Sequence, residues 1–259
     1  MNIIKNFNYT YFAHLIKHPN YHDFSLIEFK SLFNMFNLQF YIDDNYCYNL
    51  EKNSLLKFYT NIELNKNNLN ELMQRTILIK NIFYSYDSDI DINNLINKLK
   101  LNNKLKNEEE SLETFRFDIE GLDKSFDTKE QKDLMLKFEV IDFKAKVNLK
   151  NPERQFKLYF NKADGIYNFG KIIVRSDEKA YFYNKFNLRQ RKYLGPTSTD
   201  NKLAFLMVLF YYNNYNNLNY ILKANYAQVK KHDLVLDPFT GTGSLLIPSS
   251  YFGYVYIYY

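Results

Sequence analysis

One stretch constrains this 259-residue chain more than any other: Asp233-Leu-Val-Leu-Asp-Pro-Phe-Thr-Gly-Thr-Gly-Ser-Leu-Leu-Ile247. Leu234–Leu236 is a short apolar run closed by Asp237, the pattern of a buried strand. Gly241 and Gly243 let the backbone turn sharply and approach a ligand, because neither carries a Cβ. Ser244–Ile247 then opens a helix, so the order is strand, glycine turn, helix, an α/β arrangement. Amides in such a turn, with a helix N-terminus behind them, favour a carboxylate or a phosphate.

Two of the ligand classes that use such turns fit poorly. A nucleotide P-loop needs Gly-Lys-Ser/Thr, and here Gly243 precedes Ser244-Leu245. A dinucleotide fold wants a third glycine three residues after the second, where Leu246 stands. The Asp237-Pro-Phe-Thr-Gly-Thr-Gly243 form resembles instead the first motif of S-adenosylmethionine methyltransferases that act on exocyclic amines. That resemblance implies a turn holding the methionine end of the cofactor, with Asp237 near its ammonium group. A ligand-free glycine connection is the alternative, against which the preceding strand, Asp-Pro-Phe and following helix all weigh.

The rest of the composition narrows the setting. Hydrophobic residues make up 46% and charged residues 24%, the range of a globular chain. With 24 Tyr, 23 Phe, no Trp and much Asn and Lys, the bias is that of AT-rich codons, and Asn213–Asn219 reads as a low-complexity insertion. The net charge of +5 is compatible with nucleic-acid binding without showing it. A single cysteine, Cys47, excludes an internal disulfide and a Cys-rich zinc site. His14, His18, His22 and His232 show no metal or triad spacing. Met1–Phe12 has no apolar core of a secretory signal, and the run Leu203–Tyr212 is about half a membrane span. A soluble cytoplasmic protein is expected.

Along the chain, residues 25–36 carry apolar side chains at helical spacing, with Ser25 and Glu28 placed for a capping box. Leu38–Ile42 and Leu55–Leu64 read as strands, and Asn65–Asn70 as a soft boundary. Arg75–Tyr84 is a buried strand or a short helix. Ile90–Leu101 reads as a helix and the charged Asn102–Glu110 as a solvated loop. Phe115–Ile119, Ala145–Leu149 and Gln155–Phe160 read as strands around a helix at Thr128–Ile141. Lys171–Val174 and Ala180–Tyr183 suggest a hairpin turning at Asp177-Glu178. A helix begins near Thr199. Pro248 falls inside the helix expected after the glycine turn, at a cost of about 3 kcal/mol unless that helix kinks or starts late.

A wider resemblance follows from Arg191-Lys-Tyr-Leu-Gly-Pro-Thr-Ser198, Asp200, Leu203–Met207 and Val229–Leu246. Together these are similar to the tRNA (guanine(10)-N2)-methyltransferase family. Asp142–Pro152 resembles the end of that family's THUMP domain, and Phe12-Ala-His14 with residues 23–32 resembles its N-terminal ferredoxin-like domain. The resemblance implies three parts: residues 1–72 ferredoxin-like, 73–175 THUMP, and 176–259 the beginning of a Rossmann-like methyltransferase domain. It implies a cofactor site at Asp237, Phe239, Gly241 and Gly243, with Thr197 and Ser198 of the Gly195–Ser198 loop close by. Lys144, Lys146, Lys150, Arg154, Arg189, Arg191 and Lys192 become candidate tRNA phosphate contacts, the cluster at 189–192 foremost. A small zinc-binding activator subunit is the implied partner.

The chain also departs from the family. The catalytic Pro-Pro-Tyr is missing, since Pro19, Pro152, Pro196, Pro238 and Pro248 include no adjacent pair. No ribose-holding acid follows the glycine turn. The family-like sequence is expected to stop at Gly253 or Tyr254, with Val255–Tyr259 as translated intron and Val208–Lys223 as either translated intron or an Asn-rich insertion. A truncated methyltransferase would leave Leu245, Leu246, Ile247 and Phe252 exposed. A catalytically dead tRNA-binding protein and a THUMP-bearing rRNA guanine-N2 methyltransferase stay open as alternatives.

Overall fold

In the computed structural model the described residues are 7–42, 54–176, 182–195, 198–209, 234–236, 240–252 and 255–257. They divide into two compact units. The first is drawn from Met1–Leu15, Phe40–Lys66 and Asn81–Arg175, the second from Ile16–Gln39, Asn67–Lys80 and Ser176–Tyr259.

The first unit is built on an eight-stranded mixed sheet. Its strands are β1 (Tyr9–Leu15), β2 (Tyr41–Ile42), β3 (Leu55–Thr60), β4 (Ile79–Asp89), β5 (Thr114–Leu122), β6 (Lys146–Val147), β7 (Arg154–Asn161) and β8 (Ile166–Arg175). They lie in the order β2-β3-β1-β4-β8-β7-β5-β6. β1 pairs antiparallel with β3, from Tyr9 opposite Thr60 to His14 opposite Leu55. β5 runs parallel to both β6 and β7, so the chain must cross over between them, as parallel pairing requires. The crossover carries the helix at Thr128–Phe138, which starts on a capping box of Asp127 and Glu130. Phe12, Leu55, Phe83, Leu122 and Tyr159 form a buried cluster with Ile172 against it. Phe83 and Tyr159 stack at 4.7 Å between ring centres.

The helix predicted from residue 25 spans Ser25–Met35 and is α1. It continues directly from a 3₁₀ turn at His22–Phe24, so Ser25 already lies inside it and no side chain caps it. Glu28 faces inward instead, fully buried. Lys66–Arg75 is α2, held by buried Leu69, Leu72 and Met73, and the two units divide at its start, between Lys66 and Asn67. The expected helix at Ile90–Leu101 forms α3 (Ile92–Leu101), with Asp91 accepting from the Asn93 and Asn94 amides at its start.

The charged run 102–110 is a helix, α4 (Asn103–Glu110), rather than a solvated loop. Asn102 caps it, Leu105 is buried, and Glu108 turns inward to meet Tyr86, Lys171 at 2.8 Å and Arg154 at 2.8 Å. The helix at Thr128–Phe138 is α5. Residues 177–181 lie outside the described residues, but Tyr183 belongs to a 3₁₀ turn at Phe182–Phe186, so the hairpin's second strand does not extend to it. β8 pairs instead with β4 and β7.

In the second unit, α6 (Asn201–Leu209) buries Ala204, Phe205 and Leu206 completely. β9 (Leu234–Leu236) feeds the glycine turn and α7 (Leu246–Tyr251). β10 (Val255–Ile257) returns parallel to β9, Val255 opposite Leu234 and Ile257 opposite Leu236. Val255–Ile257 thus completes a strand–helix–strand unit. Leu246 is buried and Leu245, Ile247 and Phe252 are half-buried, not exposed as expected. The reason is local. Phe205 packs edge-on against both Tyr251 and Phe252 at 5.8 Å, and the Arg75 guanidinium lies 4.5 Å over the Phe252 ring. Cys47, His232, Asn213–Asn219 and most of 208–223 lie outside the described residues.

Candidate functional site

The glycine turn takes a form only glycine adopts without strain. Gly241 has φ 52° and Gly243 φ 72°, both left-handed. The Gly243 amide donates to the Thr240 carbonyl at 2.8 Å, and the Gly243 carbonyl accepts from Leu246 and Ile247 at 3.1 Å. Because α7 begins only at Leu246, Pro248 is its third residue, where no amide is required of it. The expected penalty for that proline is avoided by the late start.

Gly195 and Ser198 both lie against this turn. A Cβ added to Gly195 would come 2.9 Å from the Thr242 methyl group, so glycine is what allows the approach. Ser198 Oγ lies 3.0 Å from Thr242 Oγ1 and donates to the Gly195 carbonyl at 3.1 Å. Thr242 Oγ1 is 3.3 Å from Ser244 Oγ, and Arg191 Nη1 donates to Ser244 Oγ at 3.0 Å. The Nε of Arg191 is buried with no hydrogen-bond partner among the described residues. Burial lowers the Arg191 pKa from its ordinary value, and the Asp200 carboxylate opposes that. Asp200 also accepts from the Leu203 amide at 3.1 Å at the start of α6 and from the Tyr21 hydroxyl at 3.0 Å. Burial pushes the Tyr21 hydroxyl up and Lys202 down.

Of the residues singled out for a cofactor, Gly241, Gly243 and Ser198 are brought together at this turn. Thr197, Asp237 and Phe239 lie outside the described residues. Of the candidate phosphate contacts, Lys144, Lys146, Lys150, Arg189 and Lys192 are exposed. Arg154 is exposed as a residue, but its guanidinium is paired with the Glu108 carboxylate at 2.8 Å. Arg191 is half-buried and turned to Ser244. The sequence reading missed Thr242 and Ser244. The contact between Arg191 and Ser244 bridges 53 positions, beyond the reach of any local pattern.

Among the described residues no three His, Cys, Asp or Glu side chains gather to hold a metal ion. No helix among them is long and apolar enough to cross a membrane.

The sequence model of the Tmrp11 THUMP N-terminal domain family matches residues 10–163, more than half of the chain. The chain belongs to this family. The resemblance read from the sequence is borne out, and residues 142–152, which carried its THUMP part, fall inside the match. The tRNA (guanine(10)-N(2))-methyltransferase TRMT11 of Bos taurus is 30% identical over 247 residues, covering 90% of this chain and 48% of its own length. Its counterpart in Xenopus laevis is 30% identical over 196 residues, covering 71% of this chain and 37% of its own. The chain thus spans less than half the length of either relative. Among solved structures, TrmN from Thermus thermophilus aligns over 96% of this chain and 64% of its own at TM-score 0.48 and 15% identity.

Proposed function

We propose that the protein transfers a methyl group from S-adenosylmethionine to the exocyclic N2 of a guanine in tRNA. The carrying observation is the glycine turn behind β9, with a hydroxyl-lined loop against it, in a chain that bears a Tmrp11 THUMP N-terminal domain. The donor set suits the cofactor. The left-handed backbone at Gly241 and Gly243 gives room for close approach, and Arg191 keeps a buried donor, unpartnered among the described residues, beside the turn. When bound, S-adenosylmethionine supplies an activated methyl group. Gly241, Gly243, Phe239, Thr197 and Ser198 would shape its pocket, and Asp237 would orient its ammonium group. The amine acceptor is assigned to no residue of this chain, because the Pro-Pro-Tyr motif is absent from it.

The proposal keeps the division into residues 1–72, 73–175 and 176–259 as ferredoxin-like, THUMP and methyltransferase parts. Exposed Lys144, Lys146, Lys150, Arg189 and Lys192 would meet tRNA phosphates. Arg154 would do so only by leaving Glu108. A zinc-binding activator subunit and a cytoplasmic setting complete the reading.

The test is a pair of titrations on the full-length protein, one with S-adenosylhomocysteine and one with unmodified tRNA. Both ligands should bind, and Asp237→Ala should lose the first while keeping the second. Binding of tRNA with no binding of the cofactor product would favour a tRNA-binding protein without methyl transfer.

A further inference from the structure

The hydroxyl chain at the glycine turn has a direction that its atoms dictate. Each serine or threonine hydroxyl has one hydrogen to give. The Gly195 carbonyl can only accept, so Ser198 spends its hydrogen there. Thr242 must then donate to Ser198, and Ser244 to Thr242. Ser244 is left as an acceptor, and Arg191, which can only donate, supplies it. The chain therefore runs one way, from the guanidinium through Ser244, Thr242 and Ser198 to the Gly195 carbonyl. A charged donor at its head strengthens the first bond and polarises those that follow.

Ser244 is 7% exposed, so water cannot readily replace Arg191 as its donor. The buried Arg191 Nε, unpartnered among the described residues, is a cost that packing alone does not explain. Both observations place Arg191 with the turn and not with the exposed Arg189 and Lys192.

We propose that Arg191 is a positioning residue for the methyl donor, acting through this chain to hold Gly195 and Ser198 against the glycine turn. The proposal rests on the reading of that turn as the cofactor site. Without Arg191 the Ser244 hydroxyl is free to reverse, and Ser198 keeps only part of its hold on Thr242. Lysine at 191 could still donate to Ser244 and set the same direction.

The experiment is calorimetric titration of S-adenosylhomocysteine into the full-length protein and its variants, with far-UV circular dichroism to check folding. Arg191→Ala and Ser244→Ala should each weaken binding about tenfold or more. Arg191→Lys should stay within about threefold of the parent. The double variant Arg191→Ala with Ser244→Ala should bind about as weakly as either alone, because one chain is broken in both cases. Affinity for tRNA should be unchanged in all of them.

Unaltered cofactor affinity in Arg191→Ala, or losses that add in the double variant, would overturn the proposal. So would a fall in tRNA affinity with cofactor affinity intact, which would make Arg191 a phosphate contact. If Arg191→Ala does not fold, Ser244→Ala and Arg191→Lys carry the test. A parent protein that binds no S-adenosylhomocysteine would overturn the cofactor reading itself, and the proposal with it.

Discussion

Replacing Glu28 by glutamine should change how stability depends on pH. Glu28 is fully buried, and its carboxyl is the meeting point of one segment. Oε1 accepts from the Ile77 amide at 2.6 Å, and Oε2 accepts from the Leu78 amide at 2.8 Å and the Thr76 hydroxyl at 3.0 Å. Burial pushes its pKa up from 4.5 to about 7, against the pull of those three donors. In the unfolded chain the group ionises near 4.5, so between 4.5 and 7 the folded state holds the extra proton. The stabilisation is fully present below 4.5 and is lost as the pH rises through 7. A rise of 2.5 units (7 minus 4.5) corresponds to about 3 kcal/mol.

Glutamine keeps the shape but has one acceptor oxygen, and its amide would leave a buried donor unmatched at about 1–3 kcal/mol. Glu28→Gln should therefore be less stable than the parent by that amount at pH 5, and the gap should close toward pH 8 as the parent pays for ionisation. Urea titrations followed by circular dichroism at both pH values read the two gaps. A gap that is constant or widens with pH would refute the assignment of the burial penalty to Glu28.

Three further outcomes follow from named contacts. Arg189→Ala with Lys192→Ala should weaken tRNA binding and flatten its dependence on salt by about two phosphate contacts, read by filter binding across a salt series; an unchanged slope removes the pair from the interface. Gly243→Ala should cost about 1–2 kcal/mol, because φ is 72° while nothing lies within 4 Å of an added Cβ, and a thermal melt that does not move would contradict the left-handed turn. Gly170→Ala should cost about 3 kcal/mol or more, since its Cβ would stand 2.1 Å from the Tyr84 carbonyl oxygen at the β4–β8 irregularity; a stable, unshifted variant would show that the strands there can part.

The sequence showed those parts of the molecule whose cause is local. Leu234–Leu236 is apolar and closed by an acid, and two glycines two residues apart impose the turn that the backbone takes. Thr114–Leu122 and Arg154–Asn161 are strands rich in aromatic and branched residues. What stayed hidden was set by distant partners. Glu28 occupied a capping position on paper, yet its acceptors serve amides 49 and 50 residues away. Glu108 sat in a run of charge, yet Lys171 and Arg154 draw it inward and make a helix of what resembled a loop. Arg191 sat in a basic cluster, yet its guanidinium belongs to Ser244. Charge composition ranks such residues as surface groups, and only the fold can say which of them finds a partner.

Methylation of a guanine amine in tRNA, the activity proposed above, can be measured directly. The direct measurement is incubation of the full-length protein, with any activator subunit it requires, with methyl-labelled S-adenosylmethionine and unmodified tRNA, then digestion to nucleosides and mass spectrometry. Label is expected in N2-methylguanosine, and it should be lost with Asp237→Ala. Label on another base or another atom of guanine, or undiminished transfer by Asp237→Ala, would contradict the proposed activity.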